Sequence, residues 1–321
     1  MRKMLLLLAV ALVLPGSAAV ARPAGGTPIA LVTAETENQL IAVSFPDGRV
    51  LRRVALPDDP QNVVANQKVI VVVSPGSGAV SLLGARSLRV TEVLRGFGSP
   101  HLAALAPQGK WAYVTDDPRG QLDIVSLTQK RVAKRLYVGI GAHHLTVSPD
   151  GRRLWIALGE HARAIAVVDV RRPGRPRLLK RFDPGFVAHD VAISPNGDRL
   201  WVTSSEDSRV RVFDSRTLRY RFSVRVGAPP QHVVFGEFSR TPAYLTSGYA
   251  SRIELVDPHK GRILRIASVP YGSFNLTTIG GNVVTSSLIR GTVTTLDSEL
   301  RLRRTVRVAP AARGVAGVVW P

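Results

Sequence analysis

The chain has no cysteine among its 321 residues, so neither a disulfide nor a lipid-bearing cysteine anchor is open to it. Acidic residues are scarce: 23 Asp+Glu stand against 43 Lys+Arg, for a formal net charge of +20. Lysine is scarcer still, with only seven, so the excess is arginine, a bias that GC-rich coding produces as readily as function does. After Leu14 no segment holds the roughly 18 unbroken apolar residues of a membrane span. Helical periodicity is missing as well. So are the short motifs of the common enzyme classes: no G-x-S-x-G elbow, H-E-x-x-H pair, P-loop or dinucleotide fingerprint occurs, and Gly76-Ser77-Gly78 is a loop.

The first residues, MRKMLLLLAVALVLPGSAAVA, run from a basic start through an apolar stretch to Ala19-Val20-Ala21, an A-x-A pattern. Residues 1–21 are therefore expected to be a secretory signal peptide and 22–321 the mature chain. An exported location follows as an expectation: periplasmic, wall-associated or extracellular. An exported chain without disulfides depends on its core, which suits a large closed architecture. Asn275-Leu276-Thr277 is a glycosylation sequon, meaningful only in a eukaryotic secretory pathway.

The strongest feature present is a repeated phrase. AHHLTVSPDGRRLWIA (142–157) returns as AHDVAISPNGDRLWVT (188–203). His101, His143, His189 and His232 follow one another at spacings of 42, 46 and 43, and each stands twelve residues before an aromatic: Tyr113, Trp155, Trp201 and Tyr244. A period near 43 is that of a propeller blade. Within it, Val191–Ile193, Leu200–Thr203, Val210–Asp214 and Tyr220–Val226 read as four short strands, a to d, parted by turn signals such as Ser194-Pro195-Asn196-Gly197. Residues 61–100 and 274–313 fit the same pattern. Residues 27–60 have strands b to d only, and Gly314–Trp320 is a lone strand a. An all-β, seven-bladed β-propeller of four-stranded blades is predicted, with the C-terminal strand completing blade 1.

The strings Tyr113-Val114-Thr115-Asp116, Trp201-Val202-Thr203-Ser204 and Tyr244-Leu245-Thr246-Ser247, each after an SPDG-like turn, resemble the YVTN-type propeller repeat of exported surface-layer-type proteins. The resemblance spans nearly the whole mature chain and implies fold far better than activity. The wider superfamily includes exported binding proteins, lactonases, haem-d-binding propellers and the copper-holding propeller of nitrous-oxide reductase.

In such a ring the four histidines precede strand a and are expected around the mouth of the channel. The b-to-c loops on the same face bring Glu35, Glu37, Asp116, Asp117, Glu160, His161, Glu206 and Asp207, with His144 and Asp190 as close neighbours. His144, Asp190, Asp116 and Glu206 are the expected ligand-binding set. Two readings of His101, His143, His189 and His232 stand side by side. They either satisfy backbone groups of the next blade, as the Gly-His position does in WD-repeat propellers, or bind copper, zinc or iron, with nearby carboxylates as outer partners. A full seven-blade cluster is excluded, because blades 1, 2 and 7 offer Gly314, Gln61 or Asn62, and Phe274 or Asn275. An organic ligand, a tetrapyrrole with an axial histidine among them, is a third possibility. Trp155, Trp201, Tyr113 and Tyr244 are read as core, and Asp169, Asp214, Asp257 and Asp297 as turn-formers.

Positive charge gathers in the c-to-d turns and outer strands, where seven windows hold 27 of the 43 basic residues and one acid, Glu92. Arginine on an exposed sheet edge blocks edge-to-edge pairing. A near absence of acids also suits an anionic partner such as a wall polymer or lipid headgroups, whereas nucleic acid has weak support because aromatics are few. The expected function is a monomeric, non-enzymatic binding propeller with a His/acidic mouth and a basic belt. The alternatives are a metal- or tetrapyrrole-dependent redox accessory protein and a propeller lactonase.

Overall fold

The computed structural model describes residues 26–45, 47–159, 163–204, 206–236 and 242–320. The expected signal peptide, Glu160 and His161 lie outside these. The described residues form seven four-stranded antiparallel sheets, the blades of a propeller. Blade 1 joins Ala312–Trp320 as its strand a to Thr27–Ala34, Gln39–Ser44 and Val50–Ala55. The pairing runs from Thr27 opposite Trp320 to Ala34 opposite Ala312, so the two ends of the chain close the ring as expected. No helix among the described residues is long and apolar enough to cross a membrane.

Strands b and c carry the valine, isoleucine and leucine runs and are buried on both faces, because each blade is sandwiched between two others. The core is accordingly a set of apolar layers between adjacent blades. One layer sets Ile70, Val72 and Leu83 of blade 2 on Leu31 and Leu40 of blade 1. Trp155, Trp201, Tyr113 and Tyr244 are all buried, and Trp201 meets Phe222 and Phe235 edge-to-face. The SPDG-like turns follow from local chemistry. Ser148 Oγ bonds Asp150 Oδ1 at 2.6 Å, and Gly151 takes a left-handed φ of +69° that a side chain would resist. The aspartates ending strand c are turn-formers: Asp214 Oδ1 accepts from the N–H of Thr217 at 2.8 Å, and Asp257 Oδ1 from that of His259 at 2.8 Å.

Every c–d pair has a register shift at the same place, from Ala42/Val43 in blade 1 to Thr295/Leu296 in blade 7. A bulge there twists each outer strand and, with its arginines, discourages pairing with another chain. Several belt residues also tie blade to blade. Arg52 donates to Ser87 O at 3.1 Å, Arg181 to Val138 O at 2.7 Å, and Arg304 to Asp47 O at 3.0 Å. Part of the basic belt is thus architectural.

Two carboxylates lie inside the blades. Asp123, in strand c of blade 3 (Gln121–Ser126), is fully buried with neither oxygen hydrogen-bonded among the described residues; the Arg135 Nε is 3.4 Å away. Burial pushes its carboxyl up to about 6, against the pull of Arg135. Burial likewise raises Glu254, the matching residue of blade 6. The folded chain therefore holds the Asp123 proton to a higher pH than the unfolded chain does, and its stability falls as pH climbs from about 4 through about 6. Asp123→Asn should remove that component. The stability gap between variant and wild type, from urea unfolding at pH 4 and pH 8, should move in favour of the variant by on the order of 2 kcal/mol. An unchanging gap would mean that Asp123 ionises freely in the fold.

Candidate metal centre at the channel mouth

The side chains of the mouth are set by one recurring bond. The hydroxyl that ends strand b donates to a carbonyl of the next blade: Thr33 to Gln61 O at 3.2 Å, Thr115 to His143 O at 2.5 Å, Thr203 to Gln231 O at 3.0 Å and Thr246 to Phe274 O at 2.5 Å. Ser286 does the same to Arg313 O in blade 7. Four of these oxygens also accept an N–H from their own blade, those of Gly314, Leu102, Asp190 and His232. In blades 2 and 4, where Val73 and Ala157 hold the position, Asn62 and Thr146 of strand a accept from Ala103 N and Ile193 N instead. The threonine of the YVT-like strings is thus a clasp between blades.

Histidine was expected to do that work under the structural reading, and it does not. Among the described residues no histidine ring bonds a backbone group of the next blade. The rings face one another at the axis. His101 stacks on His143 with centroids 3.6 Å apart and planes 16° from parallel. His144 lies 4.6 Å from His189 and 4.7 Å from His232, and His189 is tilted by 65° and 61° to those two rings. Ligand nitrogens fall within 4.8 Å of one another in two groups, His101/His143/His144 and His144/His189/His232. His144, assigned from sequence to the ligand-binding set, is the member common to both.

Ring orientation separates the groups. An imidazole lone pair lies in the ring plane, so nearly parallel stacked rings such as His101 and His143 aim past a common point. In the second group His144 and His232 are also stacked, with planes 24° apart, and His189 alone is tilted to both, so that its plane crosses theirs; an ion shared by the three needs roughly 2.0–2.1 Å to each nitrogen.

Carboxylates stand behind the rings. Asp190 places Oδ1 3.3 Å from Nδ1 of His144 and Oδ2 3.5 Å from Nδ1 of His232, and it accepts from Val233 N at 3.1 Å. Asp117 bonds Nδ1 of His143 at 2.7 Å. The Asp117 bond holds the His143 ring by Nδ1, as outer carboxylates do at histidine metal sites. Nδ1 of His144, for all its nearness to Asp190, and Nδ1 of His189 are buried with no hydrogen-bond partner among the described residues.

Burial pushes His101 and His144 well below the usual imidazole range and His189 down to about 3; neighbouring rings add to it, and Asp190 opposes it at His144 and His189, while at His101 the Arg313 charge adds too. Burial opposes the charge of Asp190, but the contacts from His144 and His232 outweigh it and hold the carboxyl low. A buried anion thus sits beside two imidazoles, those of His144 and His189, whose protonation burial disfavours.

Two expected mouth residues lie elsewhere. Asp116 neighbours the clasp residue Thr115, and alternation along the strand turns it to the opposite face. There it accepts from Gly98 N at 2.6 Å and Ser99 N at 3.1 Å, shaping the loop before His101. Glu206 is exposed in a separate cleft with Arg163, Arg209 and Arg225. Glu35 and Asp207 pair with Arg313 and Arg209 at 2.8 and 2.7 Å. The cavity above the histidines, about 330 Å³, has no carboxylate in its lining among the described residues. Opposite the imidazoles stand Gln61, Asn62, Asn275, Arg313, Tyr249 and Phe274. Arg313, Tyr249 and Gln231 were missed from sequence. Each is one copy of a repeated position whose other copies differ, so periodicity carried no sign of it.

No protein-family model matches the chain, and no curated protein does. Solved structures resemble it in fold. A functionally unknown protein from Desulfotomaculum acetoxidans DSM 771 is 12% identical over 91% of this chain and 99% of that one, with a TM-score of 0.80. Kuenenia stuttgartiensis hydrazine synthase is 14% identical over 84% and 92%, at 0.74. Dihydro-heme d1 dehydrogenase NirN, in complex with DHE, is 14% identical over 88% of this chain and 64% of that one, at 0.65. At these identities the likeness is one of fold, the seven-bladed propeller.

The clasp makes its own forecast. Thr203→Val keeps shape but orphans the buried Gln231 carbonyl and Asp190 N–H, and should cost about 2–4 kcal/mol in urea unfolding. Thr203→Ser, which retains the hydroxyl, should cost much less. Equal losses for the two would assign the effect to the methyl group and not to the bond.

Proposed function

We propose that the chain is an exported binding propeller of the YVTN type that holds a transition-metal ion at its channel mouth on His144, His189 and His232. The observation that carries this reading is that His144, His189 and His232 bring ligand nitrogens within 4.8 Å of one another, His189 tilted to the other two rings, beside the buried carboxylate of Asp190. Three imidazoles without a thiolate suit copper, zinc or iron, and the affinity order of divalent ions favours copper. Asp190 orients two of the ligands and supplies negative charge; His101 and His143 flank the site. A tetrapyrrole with an axial histidine is the second reading, supported by the haem d1-related neighbour and by the aromatic side of the mouth formed by Tyr249 and Phe274.

The test is metal analysis of chain purified without chelator and then loaded with copper or zinc. One ion per chain is expected. It should be lost in His189→Gln and weakened 10–100-fold in Asp190→Asn, while His101→Gln should retain it. A folded chain that takes up neither metal overturns the reading, and a visible macrocycle spectrum in its place would establish the second.

The belt is read as an anchor to an anionic surface such as wall polymer or lipid headgroups, supported by the exposure of all seven outer strands. Retention on a sulfated polysaccharide resin should fall steeply between 50 and 500 mM salt, an interval of roughly 4–14 Å in screening length. Retention indifferent to salt would remove charge as its cause.

A further inference from the structure

The half of the mouth that carries no histidine has a chemistry of its own. Arg313 uses one guanidinium nitrogen on Glu35 at 2.8 Å, and its side chain is still partly exposed along the cavity wall. Asn62 accepts from Ala103 N through its oxygen, which leaves its amide N–H₂ to donate. Asn275 lies on the same wall. Among the described residues no carboxylate lines the cavity, Glu35 standing behind Arg313, so this side offers donors and a guanidinium toward the cavity.

Beside it lies an apolar shelf. The Tyr249 ring is 69% exposed, 4.8 Å from Phe274 and 6.3 Å from Tyr271, with Leu288 on the same wall. Exposed tyrosine on a loop is unremarkable when the loop is loose, but this one is pinned. Gly248 N donates to the buried Gln231 Oε1 at 2.6 Å, and Gly248 O accepts from Gly272 N at 3.0 Å. The ring is therefore held out over the cavity by a fixed turn, in the manner of a preformed ligand wall.

We infer that the mouth binds a small organic carboxylate with an aromatic or aliphatic body. Its charged end lies between the histidine-bound ion and the Arg313 guanidinium, and its body lies on Tyr249 and Phe274. The inference rests on the metal reading for the floor of the site only; the donor wall and the shelf are independent of it. A cavity of about 330 Å³ sits at the small end of organic-ligand pockets, so the ligand is a compact one.

The experiment titrates benzoate, acetate and benzamide into metal-free and copper-loaded chain by calorimetry. Benzoate has both charge and ring, acetate lacks the ring, and benzamide lacks the charge. Benzoate should bind at least about tenfold more tightly than either, and copper should tighten it further. Arg313→Gln should weaken benzoate and acetate alike. Tyr249→Ala should weaken benzoate and leave acetate unchanged, and as a surface change it should keep the melting temperature of wild type. Because Arg313 also ties blade 1 shut through Glu35, its variant is scored only at matched melting temperature, and Tyr249→Ala carries the test where it melts early. Benzoate bound no better than benzamide in either form overturns the inference, whatever the metal content. Benzoate bound in a chain that takes up no copper would keep the carboxylate pocket and sink the metal reading, so the two failures are distinguishable.

Discussion

The hydroxyl at the end of strand b is the constraint on which this propeller's mouth depends. A ring of sheets has no hydrogen-bond ladder between its members, and apolar layers between blades are non-directional. They set how closely blades approach but not how one is turned relative to the next. Thr33, Thr115, Thr203, Thr246 and Ser286 supply direction, each donating to a carbonyl of the following blade. The residues so gripped are Gln61, His143, Gln231, Phe274 and Arg313, all of which line the mouth. One repeated bond thus holds the fold and fixes the geometry of its site.

The site concentrates an electrostatic cost that the blades otherwise avoid. Elsewhere in the ring buried polar groups are mostly hydroxyls with near partners, or carboxylates whose protonation burial favours, as at Asp123 and Glu254. Asp190 departs from this. It is held ionised, in a layer where His144 and His189 are held neutral. A cation bound there, as proposed above, would suit both tendencies, because metal–nitrogen bonds need neutral imidazole and the ion would answer the carboxylate.

Nearly all of the architecture was legible in the sequence, because a blade repeats its turn chemistry and its strand period. Ser148-Pro149-Asp150-Gly151 and its copies mark the a-to-b turns, and the fragment Gly314–Trp320 already showed that blade 1 lacked a strand. The histidine set was legible for the same reason, by its spacing. What spacing could not carry was direction. Asp116 and Thr115 are neighbours with opposite faces, and nothing in the phrase said which one the mouth receives. Glu206 stands in a loop like that of Asp117, yet only Asp117 comes within reach of an imidazole. Arg313 and Tyr249 are departures from the repeat, and a method that looks for recurrence passes over departures.

Those departures also decide how the histidines are to be understood. If histidine at the start of strand a served the fold, every blade would need it or a substitute with the same bond. The backbone bond between blades is instead made by strand b, or by Asn62 and Thr146 where strand b lacks a hydroxyl. The side chain ahead of strand a is therefore free of structural duty, and blades 1, 2 and 7 show it by carrying glycine, amides and phenylalanine there. A position released from the fold, yet filled with histidine in four consecutive blades around one cavity, is accounted for by what the imidazoles do together. The same freedom on the other three blades leaves room for Arg313, Asn62 and Asn275, so that one half of the ring gathers imidazoles and the other half hydrogen-bond donors around a single cavity.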